Sequence, residues 1–537
     1  MKRFLWLGLV LSVYMICSGC GENFRPIIIP NPPTFPNPSA AHTVISINDN
    51  PPPLGQTEIV VGTAMVLDVS GDTEISIANV GLAPVHAVQQ TATQLLVANH
   101  SVTGAMSDSL SKLTFNGLTI NTSTTIGLPS DSAPDFVAVA PNQTTVYVAL
   151  LNTNTVAVIS TVSNTQVNTI AVGSQPVAVA VTPDNTKLYV ANQGDSTING
   201  INTVDLSQRV GSPVSTSSPP IWLVPRTDSQ EVYVLEQNGT LAWLNTTSTA
   251  GPDSFAQSSI SVPGAKILVY DPNLNRLYIP GGQQMAIVDV SQSAPNLLAT
   301  IPVPPFTLLN LAPATATATS AAALPDGTRA YVGSYAVLPS QFNVTNVAGD
   351  GTTATYAYTL TAGANLTPGV TVTVTGTQQD GFDGTFLVSG IVSGTQACPG
   401  TCFQIPNTTN VLNSTPVSAT GTGSNVFPQV TVVDAVSNTE QNTIAIPGFP
   451  DATNQTYANG LYYVPVCAST RFRFMMAAGG DSTRAYLSSC DGGAVNVIDT
   501  SSETYGLSLV TPVGVRSPIP PSALNPPQNP VFLLAGP

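Results

Sequence analysis

Three histidines, His42, His86 and His100, are the only imidazoles of the chain and bound its chemistry from the start. His86 and His100 flank one strand-like stretch, and two imidazoles leave a metal set incomplete, so a core or turn-adjacent role is expected for them. Asp380-Gly-Phe-Asp383-Gly offers the hard oxygen ligands that calcium takes, without the further spaced acids and closing Glu of a full loop. Two Asp-Gly turns account for it equally, which leaves Asp380 and Asp383 as weak calcium candidates. Asp184, Asp326 and Asp481 stand in hairpin turns, where a carboxylate bonds its own backbone. Trp222 and Trp243 fall in one repeat unit; an exposed pair could stack on a sugar, and packing between units is the expectation. No Gly-x-Ser-x-Gly elbow, His-Glu-x-x-His pair or phosphate loop occurs. The reading therefore names no catalytic residue, cofactor or metal, and leans away from an enzyme.

The elements that position these residues are repeats. Ala133–Leu206 contains two similar units in which Pro134 corresponds to Pro176 and Tyr147 to Tyr189, each offset being 42 residues. A period of that size built of strand-like segments is the mark of a propeller blade. The first half of each unit is a Pro, an apolar strand, a polar turn and a Tyr-Val strand. A column of Leu96, Tyr147, Tyr189, Tyr233, Tyr278, Tyr331, Tyr486 and Phe532 marks eight such halves. The second half recurs as Ala64–Gly81, Thr155–Gly173, Met285–Val290, Val430–Ala435 and Ala494–Thr500, with apolar residues alternating with small or polar ones. The turns read PNQT, PDNT and PDGT, chemistry suited to hairpins that need a positive φ.

This pattern resembles the YVTN family of β-propeller repeats, here as Tyr189-Val190-Ala191-Asn192 and looser forms. The resemblance spans roughly residues 60–537 apart from one insertion. It implies an all-β propeller, with eight blades by the count of half-units and seven as the alternative. Ser517–Pro537 looks like the first half that the N-terminal Ala64–Gly81 lacks, so strands from the two chain ends are expected to close the ring and remove two unpaired edges. Between Tyr331 and Tyr486 the repeat is interrupted. Residues 342–425 read as a small inserted β-domain, with alternation at Val370, Val372 and Val374 and a CPGTC loop. The propeller is thus expected over 58–341 and 426–537. Related propellers include lactonase-like ones.

The N-terminus carries Lys2 and Arg3, then an apolar run from Phe4 to Ile16, too short to span a bilayer comfortably and suited to a secretory signal. Cys17-Ser18-Gly19-Cys20 resembles the bacterial lipobox, with Cys17 where Leu is usual. The resemblance implies a signal peptide over 1–19, cleavage before Cys20, lipidation of Cys20, and, with Gly21 following, an outer-membrane or cell-surface address. Residues 20–57, rich in Pro, are expected to be a semi-rigid tether from that anchor. Setting Cys17 and Cys20 aside leaves Cys398, Cys402, Cys467 and Cys490, an even number in an oxidising compartment, read as two disulfides paired in that order.

Charge narrows the partners. Charged residues are 8% of the chain, and the net charge of −15 arises because 14 basic residues face 29 acids. With no basic cluster, nucleic acid is excluded as a main partner. The expectation is a monomeric, lipid-anchored scaffold that binds an envelope protein or glycan. A lactonase-like enzyme with a central-channel site and a surface-coat component are the alternatives.

Overall fold

A computed structural model describes residues 42–49, 61–100, 108–249, 251–307, 312–368, 370–395, 398–406, 410–451, 473–510 and 528–536. These residues are all β, without a helix, and their strands form eight antiparallel sheets. Seven sheets are regular four-stranded blades; the eighth is widened to ten strands by the insertion. In chain order, blades 1 to 7 open at Pro84, Pro134, Pro176, Pro220, Val269, Thr317 and Met476, and blade 8 joins the two ends of the chain. Within each blade the first strand is innermost, and first strands touch those of adjacent blades around most of the ring.

Local sequence explains the regular blade. The repeated Tyr stands on the second strand, and Tyr147, Tyr189, Tyr233, Tyr278, Tyr331 and Tyr486 are each at most 2% exposed. Sheets stacked face to face must fill the space between them, and one large side chain per blade does so. The turn between first and second strands ends on a left-handed residue, Gln143, Asn185, Ser229, Asn275, Gly327 or Ser482, with φ between 50° and 72°. Asp184, Asp326 and Asp481 accept bonds from the backbone N–H of Thr186, Thr328 and Thr483 in these turns, the turn-forming role expected of them.

Blade 8 closes the ring. Its innermost strand, Asn529–Ala535, pairs antiparallel with Thr43–Asp49, which pairs with Thr63–Asp68 and so to Thr73–Asn79. Two details differ from the sequence reading. Thr43–Asp49 falls inside the stretch expected as tether, yet all seven residues are buried. Val44, Ile45 and Ile47 give it an apolar face that the surrounding proline runs obscure. Phe532, placed by its spacing in the Tyr column, lies on the innermost strand instead; the second-strand place belongs to Thr43–Asp49. The remainder of 20–57 before His42, and the signal segment 1–19 with Cys17 and Cys20, lie outside the described residues.

The insertion is not hung on a linker. The second and third strands of blade 6 run straight on as Arg329–Asp350 and Asn410–Asp434, paired from Arg329↔Asp434 to Asp350↔Asn410. Further strands Thr353–Ala362, Thr371–Thr375 and Cys398–Pro406 add to this ribbon. Gly384–Leu387 then pairs with Thr371–Thr375 at one end of the sheet, and Gly390–Thr395 pairs with Cys398–Pro406 at the other. Only Val388 and Ser389 separate those two strands, and their N–H groups donate to Val370 O and Gln404 O. A single bent segment therefore supplies both end strands, and the sheet curls around its own core as a small barrel. The barrel has its own core, in which Tyr356 and Phe403 stack at 4.7 Å and Phe342 meets Phe403 edge-on at 5.6 Å. Gly421 lies under Phe342: a Cβ there would sit 2.2 Å from the ring, so only glycine admits the phenyl group.

Candidate functional site

Two regions can do chemistry in a propeller, the axial channel and the faces where loops of successive blades meet. In the channel, first strands deliver their side chains from a repeated bulge. Pairing skips one residue at Val85, Asp135, Val177, Ile221, Thr319 and Val531, which re-aims the residue that follows. Those following residues are His86, Phe136, Ala178, Trp222, Ser320 and Phe532. Four of the six are aromatic and meet across the ring: His86 stacks on Phe136 at 3.8 Å and lies 4.6 Å from Phe532, and Trp222 meets Phe136 edge-on at 5.3 Å. All four are less than 9% exposed. They fill the axis at this level with rings in place of acids and bases. Trp243, on the third strand of the same blade as Trp222, packs partly buried against the core, so the two indoles serve packing, as expected.

The other face is organised by cations. Lys187, Arg276, Arg329 and Arg484 each stand two residues before the repeated Tyr, and Lys112 and Arg226 occupy nearby positions on their blades. Each reaches the turn between the third and fourth strands of the next blade. Lys112 donates to Thr161 O at 2.8 Å and to Asn164 Oδ1 at 3.1 Å. Arg276 takes Ala435 O and, at 2.8 Å, Asn438 Oδ1; Arg329 takes Glu503 Oε1 at 2.9 Å. Arg226 finds two carbonyls, Val290 O and Gln292 O. Arg484 crosses the seam into blade 8 and bonds Asp72 at 3.0 Å, where Tyr486 adds a bond at 3.2 Å. Lys187 donates to Thr246 O. Six of the 14 basic residues in the chain thus fasten six blade junctions. The sequence reading missed these staples, although a basic residue two places before Tyr recurs in four units.

Asp383 accepts bonds from Thr377 N and Oγ1 and from Gly376 N, which holds its carboxyl below the usual range; it caps a turn of the barrel, and Asp380 lies in the same turn. Cys398 and Cys402 are disulfide-bonded, both fully buried. Cys490 is also disulfide-bonded, and Cys467, its expected partner, lies outside the described residues. His42 precedes the strand Thr43–Asp49, and its carbonyl accepts Val69 N–H. His100 follows the second strand of blade 1, its N–H bonded to Ala83 O. At the root of the barrel, Arg473 lies 4.8 Å over the Tyr335 ring and donates to Asp491 at 2.5 Å and Asp451 at 3.2 Å. This buried ion cluster ties blade 6, just below the barrel, to blade 7. Among the described residues, no group of three or more His, Cys, Asp or Glu side chains gathers as a metal set.

AztD of Citrobacter koseri is 10% identical over 92% of this chain and 97% of that one, with a TM-score of 0.50. A candidate 6-phosphogluconolactonase of Bacteroides fragilis NCTC 9343 is 12% identical over 56% and 92%, with a TM-score of 0.41. Hydrazine synthase of Kuenenia stuttgartiensis is 13% identical over 69% and 77%, with a TM-score of 0.36. The likeness is one of fold: this chain is a β-propeller. No protein-family model matches it, and no curated protein does. The fold carries no function by itself, because propellers host many unrelated sites.

Proposed function

We propose that this chain is a binding scaffold of the cell envelope, whose ring holds the inserted barrel rigidly toward a protein or glycan partner. The observation that carries this reading is the run of unbroken strands, Arg329–Asp350 and Asn410–Asp434, from blade 6 into the barrel. A module with its own core, continuous with a closed ring, is pre-organised, and pre-organisation lowers the entropy lost on binding. The channel supports the same reading, since rings from four blades occupy the level where a central-channel enzyme would gather acids and bases. The lipobox-like Cys17–Cys20 would anchor the chain in the membrane through Cys20.

The test compares the whole chain with one in which residues 342–424 are replaced by a short turn. Both are used to capture partners from bacterial envelope extracts, and both are assayed on a panel of lactones. The reading expects a partner held by the whole chain and lost without the barrel. Lactone turnover by the whole chain, or capture indifferent to the barrel, would overturn it. For the anchor, Cys20→Ser should move the protein from the membrane to the soluble fraction; a variant still sedimenting with membranes would contradict lipidation at that residue.

A further inference from the structure

Four of the six junction staples follow one rule; Arg226 departs from it but keeps Asp228 and Glu231 of its own blade beside it, and the departure at Lys187 leaves a cavity. Where a cation arrives, the next blade offers it a side-chain oxygen from a left-handed turn residue three places beyond the third strand's last carbonyl acceptor position. Asn164 stands so relative to Thr161, Asn438 to Ala435, Asp72 to Val69 and Glu503 to Thr500, with φ between 49° and 57°. In these blades the fourth strand begins four residues after that reference position, at Thr165, Thr439, Thr73 and Thr504. Blade 4 departs from this. Its fourth strand begins at Ser254, eight residues after Thr246, and the place of the missing oxygen falls to Thr249.

Lys187 therefore enters this junction and, among the described residues, donates to Thr246 O alone, although an ammonium carries three donors. The residue is 6% exposed, and burial pulls its pKa down. Beside it opens a cavity of about 400 Å³, whose charged lining is Lys187, Arg209, Asp184 and Asp228 and whose polar lining includes Thr186, Ser229, Gln230, Thr247 and Thr249. The lengthened turn is itself braced. Arg209 donates to both oxygens of Asp253 at 2.8 Å and to Ser248 O at 2.7 Å, and Tyr189 donates to Asp253 at 2.8 Å. Arg209 is thus matched by a carboxylate, whereas Lys187, whose bond among the described residues is to a carbonyl, lines the cavity. Its volume falls within the range of small-molecule sites.

We propose that this cavity between blades 3 and 4 binds a small organic carboxylate bearing hydroxyl or amino groups, its carboxylate taking on Lys187 the place that Asn164, Asn438, Glu503 and Asp72 take at the other junctions. The hydroxyls of Thr186, Ser229, Thr247 and Thr249 and the amide of Gln230 suit the substituents. Asp184 and Asp228 disfavour a dianion, because a second negative charge would stand beside two carboxylates. They leave room for a single carboxylate or a zwitterion.

The experiment titrates the purified chain with glycerate, with serine and with inorganic phosphate, followed by calorimetry. Saturable binding of glycerate, of serine or of both, with Kd of about 1 mM or below, is expected, and which of them binds identifies the substituent. Lys187→Gln should weaken binding about tenfold or more, the loss of one charge-assisted contact. Lys112→Gln, at a junction already filled, should leave it unchanged. Thr249→Asn restores the missing oxygen and should abolish binding while the protein stays folded by circular dichroism. Binding of phosphate alone, no binding of either carboxylate, or binding that survives both Lys187→Gln and Thr249→Asn would overturn the proposal.

Discussion

Phe532→Ala tests whether the axial rings and the chain-end seam act as one structure. Phe532 is 6% exposed and lies 4.6 Å from His86, on the strand that joins the two chain ends. Truncating a buried phenyl group to a methyl costs about 3–5 kcal/mol when the site cannot collapse. Here the neighbours are backbone strands and stacked rings, so collapse is restricted and the upper part of that range applies. Loss of the ring pair with His86 is part of the same figure. Domains are stable by roughly 5–15 kcal/mol in total, so the variant gives up a large fraction. With a urea slope of about 3 kcal/mol/M or more for a chain of this size, the midpoint should fall by about 1 M. Tryptophan fluorescence reads it directly, because Trp222 sits 5.3 Å from Phe136 in the same cluster. Phe255→Ala, on the outermost strand of blade 4 and partly exposed, provides the matched control. If Phe532→Ala moved the midpoint no further than this control, the axial cluster would not be what holds the seam, and the reasoning would fail.

Three further outcomes are expected. Arg484→Met removes the ion pairs to Asp72 and Asp499 at the seam and leaves Asp72 partly buried with only Tyr486, so thermal stability should drop by about 2–3 kcal/mol, with Arg484→Lys recovering only part of it. Bonds from Ser501 and Ser502, helped by Arg484, hold Asp499 at a pKa of about 2 against 3.8 when unfolded. Its contribution is therefore full above pH 4 and disappears as pH falls through 2. At full weight the shift is worth roughly 2 kcal/mol, and screening at this partly exposed carboxylate reduces it to about 1. Acid titration of the urea midpoint should show a smaller decline between pH 4 and 2 in Asp499→Asn than in the parent. Replacing Cys398 and Cys402 by Ser opens a five-residue loop, for which chain entropy predicts a loss of about 2 kcal/mol. Hydrogen exchange should accelerate within 342–425 and stay unchanged in blades 1 to 4.

What the sequence made legible depended on repetition. The tyrosines of the second strands could be aligned because each blade needs one large group at the same place. The turns announced themselves because a left-handed residue restricts the choice to Asn, Gly, Ser and their like. Pairings between units left no such trace. The partner of Arg484 across the seam is Asp72, 412 residues away, and nothing local to either marks the contact. The axial position two residues after each opening Pro is His, Phe, Ala or Trp, a column held together by location and not by residue type, so alignment by similarity passes over it. Thr43–Asp49 escaped because a strand's membership in a ring is decided by the strand it meets, and its partner, Asn529–Ala535, comes at the far end of the chain. Closure of the inserted barrel rests on the bend at Val388 and Ser389, two residues with no distinctive chemistry.

The seam in blade 8 also orders events in time. During synthesis, Thr43–Asp49 is made long before its partner Asn529–Ala535. Until that partner strand arrives, the ring has an unpaired strand edge, open to pairing with another chain. Delivery of Asn529–Ala535 is thereby the condition for a sealed surface. A product that stops short of Asn529 keeps Thr43–Asp49 as an exposed edge, however well the intervening blades have formed.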